Sequence, residues 1–574
     1  MKQKNNHTIE KSILKEFANN PFSSFNYKQI AKRLGIKDTA GKMQVLNVIL
    51  NQFEKKILIE SKRGKFQISP KYISTQSNKQ TNVTGIIDMQ STGKAYVISD
   101  EGGDDIFIAS NNTKNAFNGD RVKVFIFPKR KGRKLEGQIV EVIQRAKVKF
   151  VGSIEVSKNY AFVVPDDTRI PVDFFIGKDQ LNGAKNGQKV IVDLMEWPEH
   201  ARNPFGKVSK ILGNPGKHKV EIESIVFDYN FESEFPAIVE AEAAKIKNEV
   251  DSAEIKKRKD MREVFTITID PFDAKDFDDA ISLKKLPNGL WEVGVHIADV
   301  SHFVRPGSPI EAEAYKRATS IYLVDRVIPM LPEKLSNQVC SLRPKEEKLA
   351  FSAVFVMDEE AQIKSEWYGK TVINSNHRYT YEEAQEIIEG NDGPFKEEIL
   401  KFNELATKLR EERFKKGSIR FPSVEVKFML DEKSNPIGVY VKEQKDAHRM
   451  IEDFMLLANR KVAELIGKTE GKTKAKTFVY RVHDEPDPEK LNTFARFVSK
   501  LGYNLKINNR SDVVNSYNQL FKDIEGKGEK NMIETIASRT MSKASYSTNN
   551  IGHYGLSFPF YTHFTSPIRR YPDL

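Results

Sequence analysis

Five aspartates fall within ten residues, in Asp270-Pro-Phe-Asp273-Ala-Lys-Asp276-Phe-Asp278-Asp279, and apolar runs flank them on both sides. Thr266-Ile-Thr-Ile reads as a strand ending at Asp270, and Ala280-Ile-Ser-Leu as a strand starting after Asp279. Carboxylates a few ångströms apart repel one another. A fold that crowds them between two buried strands needs a cation to balance them. Oxygen-only ligation selects a hard ion, Mg²⁺ with Mn²⁺ as its substitute, and the lack of Cys or His in the cluster argues against zinc.

Two bland readings compete. A solvated acidic loop rarely sits between two apolar strands. A calcium loop of EF-hand type needs Gly at its sixth position and Glu at its twelfth, and counting from Asp276 those positions hold Ile281 and Pro287. A divalent-metal site suits phosphoryl chemistry, because metal ions can activate water and stabilise a leaving oxygen. Such a reaction also needs positive charge from the protein. His563-Phe-Thr-Ser-Pro-Ile-Arg569-Arg570-Tyr-Pro-Asp573 supplies a pair of guanidiniums suited to phosphate. On its own that pair is a weak signal, since basic pairs are common on surfaces.

The chain's 574 residues exceed what one core supports, and roughly three to five domains are expected. Residues 1–70 show three helix-like segments and a hairpin with a basic tip at Arg63-Gly64-Lys65, a winged-helix pattern. Such units bind nucleic acid and also serve as protein–protein modules. Residues 69–81 read as a polar linker. Two similar stretches follow, 81–145 and 146–214. Each runs through a Gly-bearing strand (Val83-Thr-Gly; Phe150-Val-Gly), an aromatic strand (Tyr96; Phe162), a Phe-Ile strand (Phe107; Phe174) and a Gly-X-X-Val strand. The offset is about 67 residues, so the pair reads as a tandem duplication. Short strands with central aromatics suit small five-stranded barrels, and both stretches resemble OB/cold-shock domains, in which exposed rings stack on bases. Any one of these rings reads first as core, while the pair of barrels together reads as an RNA-facing platform. A charged helical connector is expected over 215–262, and an α/β region over 263–574.

Charge adds to this. The net charge is +12, and residues 1–80 hold 16 Lys/Arg against 5 Asp/Glu, so nearly all the excess lies in the first domain. A basic segment on a near-neutral body suggests a polyanion partner, with a solvated face as the bland alternative. The single cysteine, Cys340, allows no intrachain disulfide and fits a reducing cytoplasm. No apolar run approaches a membrane span, and no signal peptide is apparent.

Read together, these segments resemble the ribonuclease II/R family. The resemblance is carried by the aspartate motif, His296-Ile-Ala-Asp-Val-Ser-His, Ala318-Thr-Ser-Ile-Tyr322-Leu, Val327-Ile-Pro-Met-Leu-Pro-Glu, Asp446-Ala-His-Arg-Met-Ile-Glu452-Asp, Asn550-Ile-Gly-His-Tyr-Gly-Leu and His563-Phe-Thr-Ser-Pro-Ile-Arg569-Arg570-Tyr. It implies a winged helix, two cold-shock barrels and an RNB catalytic domain that degrades RNA processively from its 3′ end to 5′-mononucleotides with Mg²⁺, in RNA turnover and quality control. By resemblance Asp270, Asp276, Asp278 and Asp279 are catalytic and hold the metal, with Asp270 and Asp279 as direct ligands. Loss of Asp278 would stop cleavage and spare binding. Tyr322 would stack at the 3′ end, Arg569 would hold the scissile phosphate with Arg570 beside it, Glu452 would contact base or ribose, and Phe421 would be a second clamping ring. The role of Asp273 is left open. The resemblance also implies a continuing catalytic helix and an S1 barrel beyond Leu574, so the chain reads as a C-terminally truncated form. A monomer working on RNA is expected, with no membrane contact and no ribosome or RNA-decay partner specified. An RNA chaperone without catalysis and an endonuclease of another fold are the competing functions.

Overall fold

Alternating burial along short strands closes two small barrels in the computed structural model, which describes residues 2–18, 24–69, 82–127, 134–198, 200–421, 425–432, 435–468 and 476–574. Nearly all of the expected linker, residues 70–81, lies outside these. The chain divides into two units, Met1–Glu232 and Ser233–Leu574.

The first unit opens with three helices, α1 (Lys2–Ala18), α2 (Tyr27–Arg33) and α3 (Thr39–Glu54), and a hairpin, β1 (Leu58–Lys62) with β2 (Lys65–Ile68). Asn26 and Gln29 form a capping box at the start of α2, and Asp38 caps α3. Ile13, Phe17, Ile30, Val45 and Ile49 meet Leu58 and Phe66 in one small core.

The strands of the first barrel are β3 (Asn82–Met89), β4 (Ala95–Ser99), β5 (Ile106–Ile108), β6 (Arg121–Ile126) and β7 (Glu136–Gln144). Those of the second are β8 (Lys149–Val156), β9 (Tyr160–Pro165), β10 (Phe174–Gly177), β11 (Lys189–Glu196) and β12 (Phe205–Gly213). Each set closes, in the orders β3-β4-β5-β7-β6 and β10-β12-β11-β8-β9. The repeated glycines have one physical cause. A Cβ on Gly85 would sit 2.2 Å from the Ile98 carbonyl oxygen, and one on Gly152 would sit 2.3 Å from that of Val164. In both barrels the neighbouring strand crosses too closely for a side chain. Phe174 is core, while Tyr96, Phe107 and Phe162 are half-buried on the outer faces. A helix, α4 (His218–Asp228), packs on the second barrel and is tied to it by Lys147–Asp228 at 2.6 Å.

The second unit is built on β13 (Lys259–Asp260), β14 (Thr266–Asp270), β15 (Asp279–Lys285), β16 (Trp291–Ala298), β19 (Glu347–Met357), β20 (Ile363–Asn374) and β21 (His377–Thr380), ordered β13-β20-β19-β16-β15-β14-β21. A small hairpin, β17 (Ile321–Tyr322) with β18 (Val327–Ile328), stands apart. Helices cover both faces of the sheet's centre, so β16 and β19 are buried along most of their length. One core holds Ile267, Ile281, Val293 and Val295 against α9 (Tyr381–Ile388), α10 (Lys396–Lys415) and α11 (Asp446–Gly467). The other holds Ala280, Ala298 and Val354 against α5 (Ala237–Lys245) and α8 (Pro309–Arg317); the short helices α6 (Ser252–Ile255) and α7 (Val300–Phe303) flank the sheet. An exposed hairpin, β22 (Glu425–Leu430) with β23 (Pro436–Lys442), precedes α11. A satellite of α12 (Pro488–Lys500), α13 (Arg510–Asp523) and α14 (Lys530–Thr540) has its own core. No described helix is long and apolar enough to cross a membrane.

His296, part of a motif that carried the resemblance, is a core residue. It is fully buried on β16 between the hydroxyls of Ser352 at 2.6 Å and Ser282 at 2.8 Å. Burial pushes its imidazole down to about 3. Because the folded value is depressed, its contribution to stability is complete above the ordinary value of 6.5 and drains as pH falls towards about 3. His296→Gln is expected to flatten the acid limb of the stability curve by about 1.4 kcal/mol per pH unit. Urea unfolding at pH 7 and pH 5 measures this; equal acid sensitivity of the two proteins would refute it.

Candidate active site

The antiparallel pair β14–β15 places Asp270 at the end of one strand and Asp279 at the start of the next, with Asp276 and Asp278 on the loop between. Other segments hold that loop rigidly. The Phe277 N–H donates to the Ser341 hydroxyl at 3.0 Å, and that hydroxyl donates to the Lys275 carbonyl at 2.8 Å. Arg378 donates to the carbonyls of Pro271 and Phe272. The Ile568 N–H donates to Asp278 Oδ1 at 2.8 Å, which joins positions 290 residues apart.

Asp278 is buried; its Oδ2 makes no hydrogen bond among the described residues and faces Arg569 Nε at 3.7 Å. Asp270 Oδ2 is also buried without a hydrogen bond. Burial, then the Asp279 charge, raises the Asp270 carboxyl well above its ordinary value, against the pull of Arg378. Burial likewise raises Asp278, opposed by the Ile568 N–H and Arg569. Asp279 is pushed up to about 6 by burial, with Arg569 opposing. Among the described residues no three acidic, histidine or cysteine side chains are arranged as a ready metal-binding group. The carboxylates do fit a hard cation in chemistry. They are oxygen donors, two with a buried oxygen that makes no hydrogen bond, and burial opposes their charged forms more than Arg378 and Arg569 favour them.

The Tyr322 hydroxyl donates to Asp276 Oδ2 at 3.1 Å, and its ring is 54% exposed, so the face is free to stack. Its loop is stitched to the arginine pair. The Ser320 N–H donates to the Arg569 carbonyl at 2.9 Å, and the Tyr571 N–H to the Ala318 carbonyl at 2.8 Å. Arg569 Nη2 donates to Ser566 at 2.9 Å. Arg570 pairs with buried Asp573 at 2.8 Å, and that contact holds the turn.

A cavity of about 430 Å³ opens beside the cluster, lined by Asp279, Tyr381, His448, Glu452, Asn459, Arg569 and Arg570 among others. The stripe His448, Glu452, Met455 and Asn459 is one flank of α11, whose other flank packs on the sheet through Met450, Ile451, Phe454 and Leu457. Glu452 is exposed and accepts from Gln444 Nε2 at 2.8 Å.

The structure therefore gathers Asp270, Asp276, Asp278, Asp279, Arg569 and Tyr322, and sets Glu452 and Arg570 on the adjoining wall. Asp273 is exposed on the loop. Phe421 is the exception. Its ring packs 5.7 Å from Phe521 and 6.2 Å from Tyr517 against the satellite core, and it does not line the cavity. Burying that ring on two others outweighs leaving it exposed. Tyr381 and Tyr561 do line the cavity, and sequence reasoning missed both. Parallel pairing sets Asp270 opposite Thr380, so Tyr381 follows directly beside the cluster. Its ring stacks on His448 at 4.1 Å and 7°. The available signal was Thr380-Tyr-Glu-Glu383, a capping box that starts α9.

Three domain families match the chain. The RNB domain family matches residues 258–574, a Ribonuclease B OB domain matches 85–142, and a Cold shock domain matches 162–236. Ribonuclease R of Thermotoga maritima is 38% identical over 499 residues, covering 85% of this chain and 69% of that protein. Ribonuclease R of Aquifex aeolicus is 34% identical over 572 residues, covering 99% of this chain and 78% of that protein. The structure of Mycoplasma genitalium RNase R in complex with ribose-methylated single-stranded RNA superposes with a TM-score of 0.79 at 27% identity, covering 86% of this chain and 78% of that one. The chain belongs to the ribonuclease R family of RNB-domain proteins.

Proposed function

We propose that the protein is a 3′-to-5′ exoribonuclease whose cavity receives the last nucleotides of a single RNA strand and whose aspartates carry the hydrolysis in the cytoplasm. The observation that carries this is the meeting of two buried carboxylate oxygens that make no hydrogen bond, on Asp270 and Asp278, with Arg569 beside a cavity of about 430 Å³. Asp270, Asp276, Asp278 and Asp279 would hold Mg²⁺, which supplies an activated water and a Lewis acid for the leaving oxygen. Arg569, fixed by Ser566, presents its guanidinium to the phosphate and stabilises the charge that grows there. Tyr322 stacks on the terminal base while its hydroxyl steadies Asp276. Glu452 would accept a hydrogen bond from the ribose 2′-hydroxyl, the group that separates RNA from DNA.

Incubation with Mg²⁺ and a 5′-labelled RNA tests the reading. Stepwise shortening with release of mononucleotides is expected. Hairpin melting without shortening would mark a chaperone, and cutting of circular RNA an endonuclease; either overturns it.

Tyr322 separates two contributions. Tyr322→Phe keeps the ring and is expected to change the end product little. Tyr322→Ala removes the stacking face, about 1–3 kcal/mol, and is expected to alter the length of the final product. An unchanged product ladder for the alanine variant would remove Tyr322 from the stacking role.

A further inference from the structure

Near the start of α11, beyond the cavity-lining stripe, four guanidiniums crowd two carboxylates. Arg413 and Arg410 lie 3.0 and 3.2 Å from Asp453, and Arg449 lies 3.2 Å from Asp446, with Arg410 at 3.7 Å from the same carboxylate. Arg420 makes no ion pair among the described residues. Its guanidinium lies 4.5 Å over the Phe414 ring, which also carries Arg413 at 5.0 Å. Asp446, Asp453 and the neighbouring Glu452 are three carboxylates against four arginines, so the cluster keeps an excess positive charge. Partial burial, then repulsion from Arg449, Arg410 and Arg413, holds the Arg420 guanidinium below its ordinary value.

The charge is presented from a fixed base. The Ile419 N–H donates to the Gly555 carbonyl at 2.9 Å and the Arg420 N–H to Asn518 Oδ1 at 2.8 Å, while Ser418 and Ile419 are buried beneath. Arg420 is exposed and the Arg449 side chain is 45% exposed. Arg449 precedes the cavity-lining Glu452 by one turn, roughly 4.5 Å along the axis and about 60° around it. The excess charge therefore adjoins the cavity wall.

We propose that Arg420 and Arg449 form a second phosphate site, which grips the RNA backbone after it leaves the cavity. This rests on the reading of the cavity as the seat of the 3′ end. Guanidinium forks match phosphate oxygens, and a strand seated beside Glu452 has its next phosphates within reach of this flank. An acidic peptide is the other polyanion such a patch could hold.

The test uses the full chain with fluorescently labelled single-stranded RNA, titrated at several salt concentrations, beside steady-state kinetics on a long strand and on an oligonucleotide only long enough to fill the cavity. The paired substitution Arg420→Gln with Arg449→Gln is expected to weaken binding of the long strand about 5- to 20-fold. It should reduce the salt slope by about 0.7 for each lost contact, with kcat on the long strand and KM for the short oligonucleotide unchanged. Arg420→Lys, which keeps the charge, is expected to retain most of the slope; Arg420→Gln alone, expected to lose about half as much slope as the pair, serves if the paired variant fails to fold. Unchanged affinity and slope in a variant of a wild type that does shorten RNA would overturn the site. Loss of binding to a polyaspartate peptide with RNA unaffected would assign it to an acidic partner and overturn it too. A wild type that leaves RNA intact would instead overturn the cavity reading on which the site rests.

Discussion

Asp278→Asn is expected to abolish turnover, by a factor of about 10³ or more, while RNA affinity stays within about twofold. The magnitude follows from what the carboxylate does. Removing a single group that stabilises transition-state charge costs about 10²–10³ in rate, and here the same side chain also helps hold the proposed cation. The sparing of affinity follows from its position. Asp278 is buried, accepts the Ile568 N–H and faces Arg569, while the contacts to the strand are proposed for Tyr322, Glu452 and Arg569. Asparagine keeps the acceptor for the Ile568 N–H and removes the charge. Single-turnover cleavage and equilibrium binding, measured on one preparation, separate the two quantities. A large loss of affinity would make Asp278 part of the binding surface.

Arg258→Ala is expected to destabilise the second unit by about 3–5 kcal/mol. Arg258 lies fully buried between Asp299 at 2.7 Å and Glu254 at 2.9 Å, with its Nη1 donating to the Ala350 carbonyl at 3.4 Å. The Asp299 side chain is 1% exposed, with Lys370 at 3.4 Å as its next cation. Deleting the guanidinium strands a buried carboxylate, and that penalty exceeds the net worth of the pair. Denaturation followed through Trp291 and Trp367, both on the central sheet, reports on this unit. The paired change Arg258→Met with Asp299→Leu is expected to recover most of the loss. A single variant as stable as the wild type would show that water reaches Asp299.

How much of this could be read from the sequence depends on how local each cause is. The barrels were legible because their period of two and their glycines are set by neighbouring strands: Gly85 and Gly152 answer the same close crossing. The aspartate cluster was legible because charge repulsion makes such density unusual. What holds the cluster was not. Ser341, Arg378 and the Ile568 N–H are ordinary groups whose meaning comes from a strand order in which β21 runs beside β14. The same register brings in Tyr381, whereas Phe421 was misplaced because nothing local to Arg420-Phe421 announces that Tyr517 and Phe521 lie waiting a hundred residues on.

The stitching of Asp278 to Ile568 and of Ala318 to Tyr571 has a consequence for the order of events during synthesis. At about 5–20 residues per second, the ribosome takes roughly 15–60 s to cover the 290 residues between Asp278 and its N–H partner. Until then the growing chain carries its aspartates and barrels without Arg569 or the turn that fixes Asp278. The site is thus completed late, only when the segment that carries Ile568, Arg569 and Tyr571 has emerged.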